Sequence, residues 1–290
     1  MQGDSPVPLT PPLNQDAVRD RALLAEAARE AGALALKMKK AGVKKLKKDD
    51  GSPVSNADIA VNDLLESALR KARPDYAWLS EESADSTDRF EAARIFIVDP
   101  IDGTADFLAG KPRWCIALAV LEAQAVIASA IYNPMTDELF EAALGHGALC
   151  NGARLEVSGA TELEHCRIMS NPAFERPEWP VSWPRMRVKP GGSCGQRMAD
   201  VASGRADAYL AMAAKWDWDT APGALLVTEA GGVATDTQGA PFAYNLSVPR
   251  QRSVAAATPA LHPLILKRTG LIRLPVEVKP SGKLATEGQH

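Results

Sequence analysis

Two aspartates three positions apart, Asp99 and Asp102, end an apolar run in the stretch FIVDPIDGTADF (Phe96–Phe107). Carboxylates this close repel unless a cation or a proton sits between them. Pro100 is expected to fix a turn after Asp99, so that both acids point to one side. Gly103 then lets backbone approach a ligand closely, and Thr104 supplies a hydroxyl where free amides can cradle a phosphate. The same residues also fit an Asx-type turn that merely caps the next segment.

Other acids repeat the pattern. WLSEES (Trp78–Ser83) delivers Glu81 and Glu82 into a turn after apolar residues, and reads equally as a charged loop after a strand. Asp58 lies three residues after Ser55 in SPVSNAD, the spacing of a helix capping box. Asp219, in KWDWDTAPGALLVTEAGG, is placed either to cap a helix or to ligate a metal. The histidines (His146, His165, His262, His290) form no HExxH or His-x-His arrangement, and the cysteines (Cys115, Cys150, Cys166, Cys194) form no CxxC. Any metal here would be held by carboxylate oxygens, which suits a hard ion such as Mg²⁺. The scattered cysteines fit reduced thiols better than a disulfide frame.

Elements that could position these acids are legible. Leu24, Ala27, Ala31, Leu34 and Met38 recur at alternating three- and four-residue spacing, the mark of an amphipathic helix. The basic stretch KKAGVKKLKK that follows reads as a solvated helix end and turn. A second helix starts near Ser55, buries Val61, Leu64, Leu65, Ala68, Leu69 and Ala72, and stops at Pro74. Strand-like runs are IFIV before Asp99, CIALAVL from Cys115 and AVIASAIY from Ala125, the last two close enough for a hairpin. Gly195–Ala202 reads as a helix ended at Gly204, and AYLA from Ala208 as a strand. From Asp219 a helix is expected with Pro222 in its first turn and a glycine pair just beyond. Mixed helices, strands and hairpins predict a layered α/β or α+β sandwich, not a purely parallel sheet. Strand ends are where such proteins hold chemistry.

The whole chain sets outer bounds. Its 290 residues suffice for one large domain or two intimate subdomains. A net charge of -3 gives no reason to expect nucleic acid or an anionic membrane as main partner. The longest apolar run, Cys115–Leu121, is far short of the roughly 20 residues of a spanning helix. The N-terminus lacks a basic-then-apolar secretory pattern, so a cytoplasmic location is expected.

In order along the chain, SPVSNAD, SEES, DPIDGT and WDTAPGALLVTEAGG resemble the signature blocks of the inositol monophosphatase superfamily. GHGALCNGARLEVS (Gly145–Ser158) and GGSCGQRMADVASGRADAYL (Gly191–Leu210) extend the likeness, which spans Asp16 to Tyr244. The resemblance implies a Mg²⁺-dependent, lithium-sensitive phosphomonoesterase built of alternating α-β-α-β-α layers. Composition, Pro-rich at one end and Gly/Ser/Lys-containing at the other, predicts flexible tails at 1–15 and 273–290. Between them would lie an N-terminal α+β subdomain (16–157) carrying most metal ligands and a C-terminal α/β subdomain (158–272) closing the site.

By the same resemblance, Glu81, Asp99 and the carbonyl of Ile101 would hold one Mg²⁺, and Asp99, Asp102 and Asp219 a second. Glu81 would reach a third, weaker ion through water. Asp219 fits better than Asp217 because it lies ten residues before Glu229, the family spacing. Asp58 and Thr104 would orient and deprotonate the attacking water. Asp102, Gly103, Thr104, Gly192 and Ser193 would face the substrate phosphate. Ser80 in LSEES, where inositol monophosphatases usually carry glycine, leans towards the bacterial 3′(2′),5′-bisphosphate nucleotidases of the CysQ type. So does Met212, which replaces a polyol-binding glutamate. Adenosine 3′,5′-bisphosphate is then the expected substrate, with Lys189 and Lys215 as candidate contacts to its second phosphate or, equally, plain surface lysines. Inositol 1-phosphate or a sugar phosphate is the alternative. A homodimer is expected from the relatives. A non-catalytic phosphate-ligand sensor or RNA-associated protein, using KKAGVKKLKK, is the remaining reading.

Overall fold

A computed structural model describes residues 15–48, 51, 53–170 and 179–272. The expected tails lie outside these residues, except Gln15, which opens the first helix. The elements run α1 (Gln15–Ala41), β1 (Lys45–Lys47), β2 (Pro53–Ser55), α2 (Asn56–Ala72), β3 (Ala77–Ser80), β4 (Arg94–Asp102), α3 (Thr104–Leu108), β5 (Cys115–Glu122) and β6 (Ala125–Asn133). They continue with β7 (Glu138–Ala143), β8 (Gly147–Cys150), β9 (Ala153–Arg154), β10 (Arg167–Met169), β11 (Arg187–Lys189), α4 (Cys194–Ala202) and β12 (Ala208–Ala211). The last are β13 (Lys215–Trp216), α5 (Asp217–Glu229), β14 (Val233–Thr235), β15 (Arg250–Gln251), β16 (Val254–Ala257) and α6 (Leu261–Thr269). A short 3-10 helix, Thr87–Phe90, sits between β3 and β4.

The run CIALAVL is apolar throughout because β5 is covered on both faces. Ile116, Leu118 and Val120 pack towards α1 and α2, while Cys115, Ala117, Ala119 and Leu121 pack towards α4 and α5. β5 is central in a seven-stranded sheet of order β3-β4-β5-β6-β7-β8-β9, antiparallel except for the β3–β4 pair. A five-stranded sheet, β11-β10-β12-β16-β14, lies beyond α4 and α5. Its other face, with Ile168, Ala208, Leu210, Ala255 and Ala257, is closed by Leu261 and Ile265 of α6. Helices and sheets thus alternate in five layers, the layered architecture that the sequence predicts.

The acid pair is placed by a bulge rather than by the expected turn. β4 continues through Pro100 to Asp102, and its pairing with β5 slips: Asp99 faces Ala117, whereas Asp102 faces Cys115. Three steps on β4 therefore match two on β5. In a regular strand, residues three apart point to opposite faces. The extra residue cancels that inversion. Ile95 and Ile97 face the α4–α5 layer, Phe96, Val98 and Ile101 face α1 and α2, and so Asp99 and Asp102 share the α4–α5 side. Proline is tolerated at the bulge because no ladder donor is needed there.

Two further expectations are corrected. α5 begins at Asp217, not Asp219, which moves Pro222 into its second turn. Ala72, the last residue of α2, is exposed, since the stripe of Val61, Leu65 and Leu69 has turned away by the helix end. The glycine pair does end α5. Gly231 takes φ +85°, and the Gly232 amide donates to the Val227 carbonyl at 2.9 Å. No described helix is long and apolar enough to cross a membrane.

Gly223 lets α5 approach α4: a Cβ there would lie 2.5 Å from Met198 Sδ and 2.6 Å from Met198 Cβ. Alanine would gain roughly 1 kcal/mol of helix propensity but overpack this contact at a cost of roughly 1–3 kcal/mol. Gly223→Ala should therefore lower the melting temperature by a few degrees in a thermal denaturation scan; an unchanged or higher value would mean that the α4–α5 contact yields freely.

Candidate active site

Four helix N-termini converge at the end of β4. Asp99 and Asp102 are buried, Asp219 is half-buried, and one carboxylate oxygen of each lies within 4.8 Å of the others. Each acid is fixed by backbone. Asp102 accepts from the first amides of α4, Cys194 N at 3.3 Å and Gly195 N at 2.6 Å. Asp219 Oδ2 accepts from Trp216 N at 2.8 Å, the capping contact that opens α5. Asp99 Oδ1 accepts from Ile101 N at 3.1 Å across the bulge. Capping and clustering, alternatives in the sequence, are both performed by Asp219.

Asp58 shows the same division. Its Oδ2 closes the capping box of α2, accepting from Ser55 N at 2.8 Å and Ser55 Oγ at 2.6 Å. Its Oδ1 lies 2.9 Å from the Thr104 hydroxyl, which also lies 3.1 Å from the Ile101 carbonyl. Burial pushes the Asp58 carboxyl up, against hydrogen bonds from Ser55 and Thr104. Thr104 opens α3 behind Gly103, whose φ of +95° only glycine adopts readily. A Cβ on Gly103 would lie 3.0 Å from that of Ser193. Ser193 therefore sits beside the DGT turn, capping α4 through its hydroxyl at 3.2 Å from Gln196 N. Gly192 takes φ +87° and packs under Arg113, whose Nε would be 2.6 Å from a Cβ.

Glu81 stands next to this group but turns to a cation absent from the sequence expectations. Lys48 Nζ bridges Glu81 at 2.8 Å and Glu82 at 2.7 Å. Its run of lysines hid it: Lys45 and Lys47 are exposed on β1, whereas Lys48 is folded inward. Lys39, from the same stretch, donates to the Phe107 carbonyl. Glu82 is likewise more than loop charge. It is buried, and its Oε2 has no protein partner. Lys215 is half-buried within electrostatic reach of Asp219 and Asp102. Burial alone would lower its ammonium, but Asp219 first, then Cys194 and Asp102, hold it above the ordinary lysine range. Lys189 is not brought in; it lies exposed on β11, an edge strand.

These residues fit a hard divalent cation. Asp99 is raised well above the ordinary carboxylate range, by burial first and then by Glu81, Asp102 and Asp219. Asp102 is pushed up to about 6 by burial and Asp219, and Glu82 to about 7 by burial and Glu81. Mutually repelling oxygen donors with an orphaned carboxylate oxygen lack positive charge. Without metal, the folded state holds protons that the unfolded chain gives up near pH 4. This stability is present at low pH and is lost as pH rises through 6 and 7. The increase in melting temperature caused by Mg²⁺ should therefore grow from about pH 5 to about pH 8. A Mg²⁺ effect that is flat or shrinks with pH would contradict the shared site.

Known proteins share this sequence pattern and fold. The sequence matches the inositol monophosphatase family over residues 17–272. It is 35% identical over 200 residues to an inositol-1-monophosphatase of Rhizobium meliloti, covering 64% of this chain and 73% of that protein. The Nus factor SuhB of Xylella fastidiosa is 32% identical over 198 residues, 64% of this chain and 70% of that one. The crystal structure of the extragenic suppressor protein suhB from Bartonella henselae superposes with a TM-score of 0.75 at 28% identity, covering 87% of this chain and 99% of that one. The chain belongs to the inositol monophosphatase family and is a metal-dependent phosphatase of that family.

Proposed function

We propose that the protein hydrolyses a phosphomonoester that carries a second anionic group, with adenosine 3′,5′-bisphosphate the best match, using Mg²⁺. The observation that carries phosphatase chemistry is the 2.9 Å Thr104–Asp58 pair opening beside the Asp99, Asp102 and Asp219 cluster. Glu81, Asp99, Asp102, Asp219 and the Ile101 carbonyl would hold Mg²⁺, which when bound would supply Lewis-acid charge to the phosphoryl and leaving oxygens. The protein groups do the rest. Asp58, with one oxygen committed to the α2 cap, keeps the other free to take a proton through Thr104 from the attacking water. Gly103 and Thr104 offer the first amides of α3 to the phosphate. Ser193 walls the same turn, and Gly192 precedes it against Arg113.

For the substrate, Lys215 supports the bisphosphate reading. A half-buried ammonium beside the cluster is a point-charge partner for a second phosphate. Met212, at the position of the expected polyol contact, packs into the small sheet's outer core. Inositol 1-phosphate remains the second reading, favoured by the relative named as an inositol-1-monophosphatase. The RNA-associated reading keeps only part of its surface: Lys39 and Lys48 are committed to Phe107 and to Glu81 and Glu82, while Lys40, Lys44, Lys45 and Lys47 are exposed.

Phosphate release with Mg²⁺ should favour adenosine 3′,5′-bisphosphate over inositol 1-phosphate and fructose 1,6-bisphosphate. Asp99→Asn should cut turnover of every substrate by about a thousandfold, as loss of a shared metal ligand requires. Equal turnover in Asp99→Asn would remove the metal mechanism, and a preference for inositol phosphate would replace the substrate. Lys215→Ala should raise KM for the bisphosphate by about tenfold, the value of one charged hydrogen bond, and leave inositol 1-phosphate unaffected. A uniform effect on both substrates would assign Lys215 to the metal site instead.

A further inference from the structure

Arg89 is fully buried, with 1% of its surface exposed, although it lies on a short surface 3-10 helix. Arginine is rarely buried so completely unless every donor is engaged. Here the guanidinium forks onto Asp85, Nε to Oδ1 at 2.7 Å and Nη2 to Oδ2 at 2.9 Å. Its far side reaches a segment remote in sequence: Nη1 donates to the Asn245 side-chain carbonyl, and Nη2 to the Leu246 carbonyl at 2.9 Å. Asn245 answers, its Nδ2 donating to the Arg89 carbonyl at 3.2 Å. The contact is thus reciprocal.

Asn245 passes the connection on. At φ +59° its amide donates to Asp217 Oδ2 at 3.0 Å, while Gln251 Nε2 donates to Asp217 Oδ1 at 2.7 Å. Asp217 is the first residue of α5, two before Asp219. Both of its oxygens are occupied, so it is a buried anchor and not a member of the acid cluster. On the other side, Arg89 belongs to the same loop as Glu81. The near end of that loop is held by Glu81 N on the Val98 carbonyl at 3.1 Å, and by Asn62 Nδ2 on Ser83 Oγ at 3.0 Å. Glu81 directly follows β3, which pairs with β4 as far as Val98, and Asp219 lies in the first turn of α5, so the two come from different halves of the chain.

We propose that Arg89 is a positioning residue: through Asn245 and Asp217 it clamps the Glu81 loop to the start of α5 and sets the gap that the cation fits. The proposal rests on the reading of the acid cluster as a cation site. Repelling carboxylates must be held in place before the cation arrives, and site rigidity is one of the factors that set divalent-ion affinity. A bidentate arginine clamp supplies rigidity without adding a ligand.

The test is Mg²⁺ binding measured by calorimetry and by the Mg²⁺-induced rise in melting temperature, in wild type, Arg89→Met and Asn245→Gly. Arg89→Met keeps bulk and removes the donors. Asn245→Gly keeps the left-handed backbone and its amide bond to Asp217 but loses both side-chain bonds to Arg89. Both variants should need roughly tenfold more Mg²⁺ for half-saturation, as for outer-shell partners of metal ligands generally. If Arg89→Met does not fold, Asn245→Gly carries the test alone. A lower metal-free melting temperature with wild-type Mg²⁺ affinity would show a purely structural tie and overturn the clamp. Failure of the wild type itself to bind Mg²⁺ would remove the cation reading and the clamp with it.

Discussion

The constraint on which the structure depends is the crowding of buried carboxylates at the end of β4. One carboxylate oxygen each of Asp99, Asp102 and Asp219 lies within 4.8 Å of the others, Glu81 raises Asp99 and Asp219 further, and Glu82 is itself pushed up by burial and Glu81. Isolated in a dry interior, such a group would ionise only at great cost. The fold tolerates it by directing helix N-termini at it. The first turn of α4 donates its amides to Asp102, the N-cap amides of Ser55 and Trp216 donate to Asp58 of α2 and Asp219 of α5, and α3 begins at the adjacent Thr104. Each N-terminus carries partial positive charge, so the arrangement favours anions before any ion binds. Lys48 adds a full charge between Glu81 and Glu82.

A common economy follows. The acids of the site that cap helices also take part in the cluster or in its contact with Thr104. Asp58 gives Oδ2 to Ser55 and Oδ1 to Thr104, and Asp219 gives Oδ2 to Trp216 while joining the cluster. Structural and catalytic explanations of these residues are therefore not rivals. On the proposed mechanism, the capping contacts hold these carboxylate oxygens at fixed positions, as preorganised charge stabilisation requires.

The layers were legible because hydrophobic period reports which faces are covered. CIALAVL reads as a strand buried on both sides, and the stripes of α1 and α2 name their sheet-facing residues. The blocks that carry Asp99, Asp102 and Asp219 were legible as blocks, and the fold brings those three acids together. The bulge was not, because proline between two acids reads as a turn, and only pairing to β5 shows the chain continuing. Lys48 was hidden by five neighbouring lysines of the same stretch that sequence cannot rank by burial. Of the two lysines singled out, Lys215 is carried into the site by β13, whereas Lys189 stays on a sheet edge. Arg89 and Asn245 lie 156 positions apart, and no local pattern links them.

The central claim is that the bulge and α5 together build one shared cation site. Anomalous diffraction from crystals soaked in Mn²⁺, a close stand-in for Mg²⁺ at oxygen ligands, tests it most directly. The account predicts a peak bounded by Asp99, Asp102 and Asp219, with Lys48 displaced from Glu81 when a second ion enters. Peaks confined to surface carboxylates, with this cluster empty at saturating Mn²⁺, would contradict it.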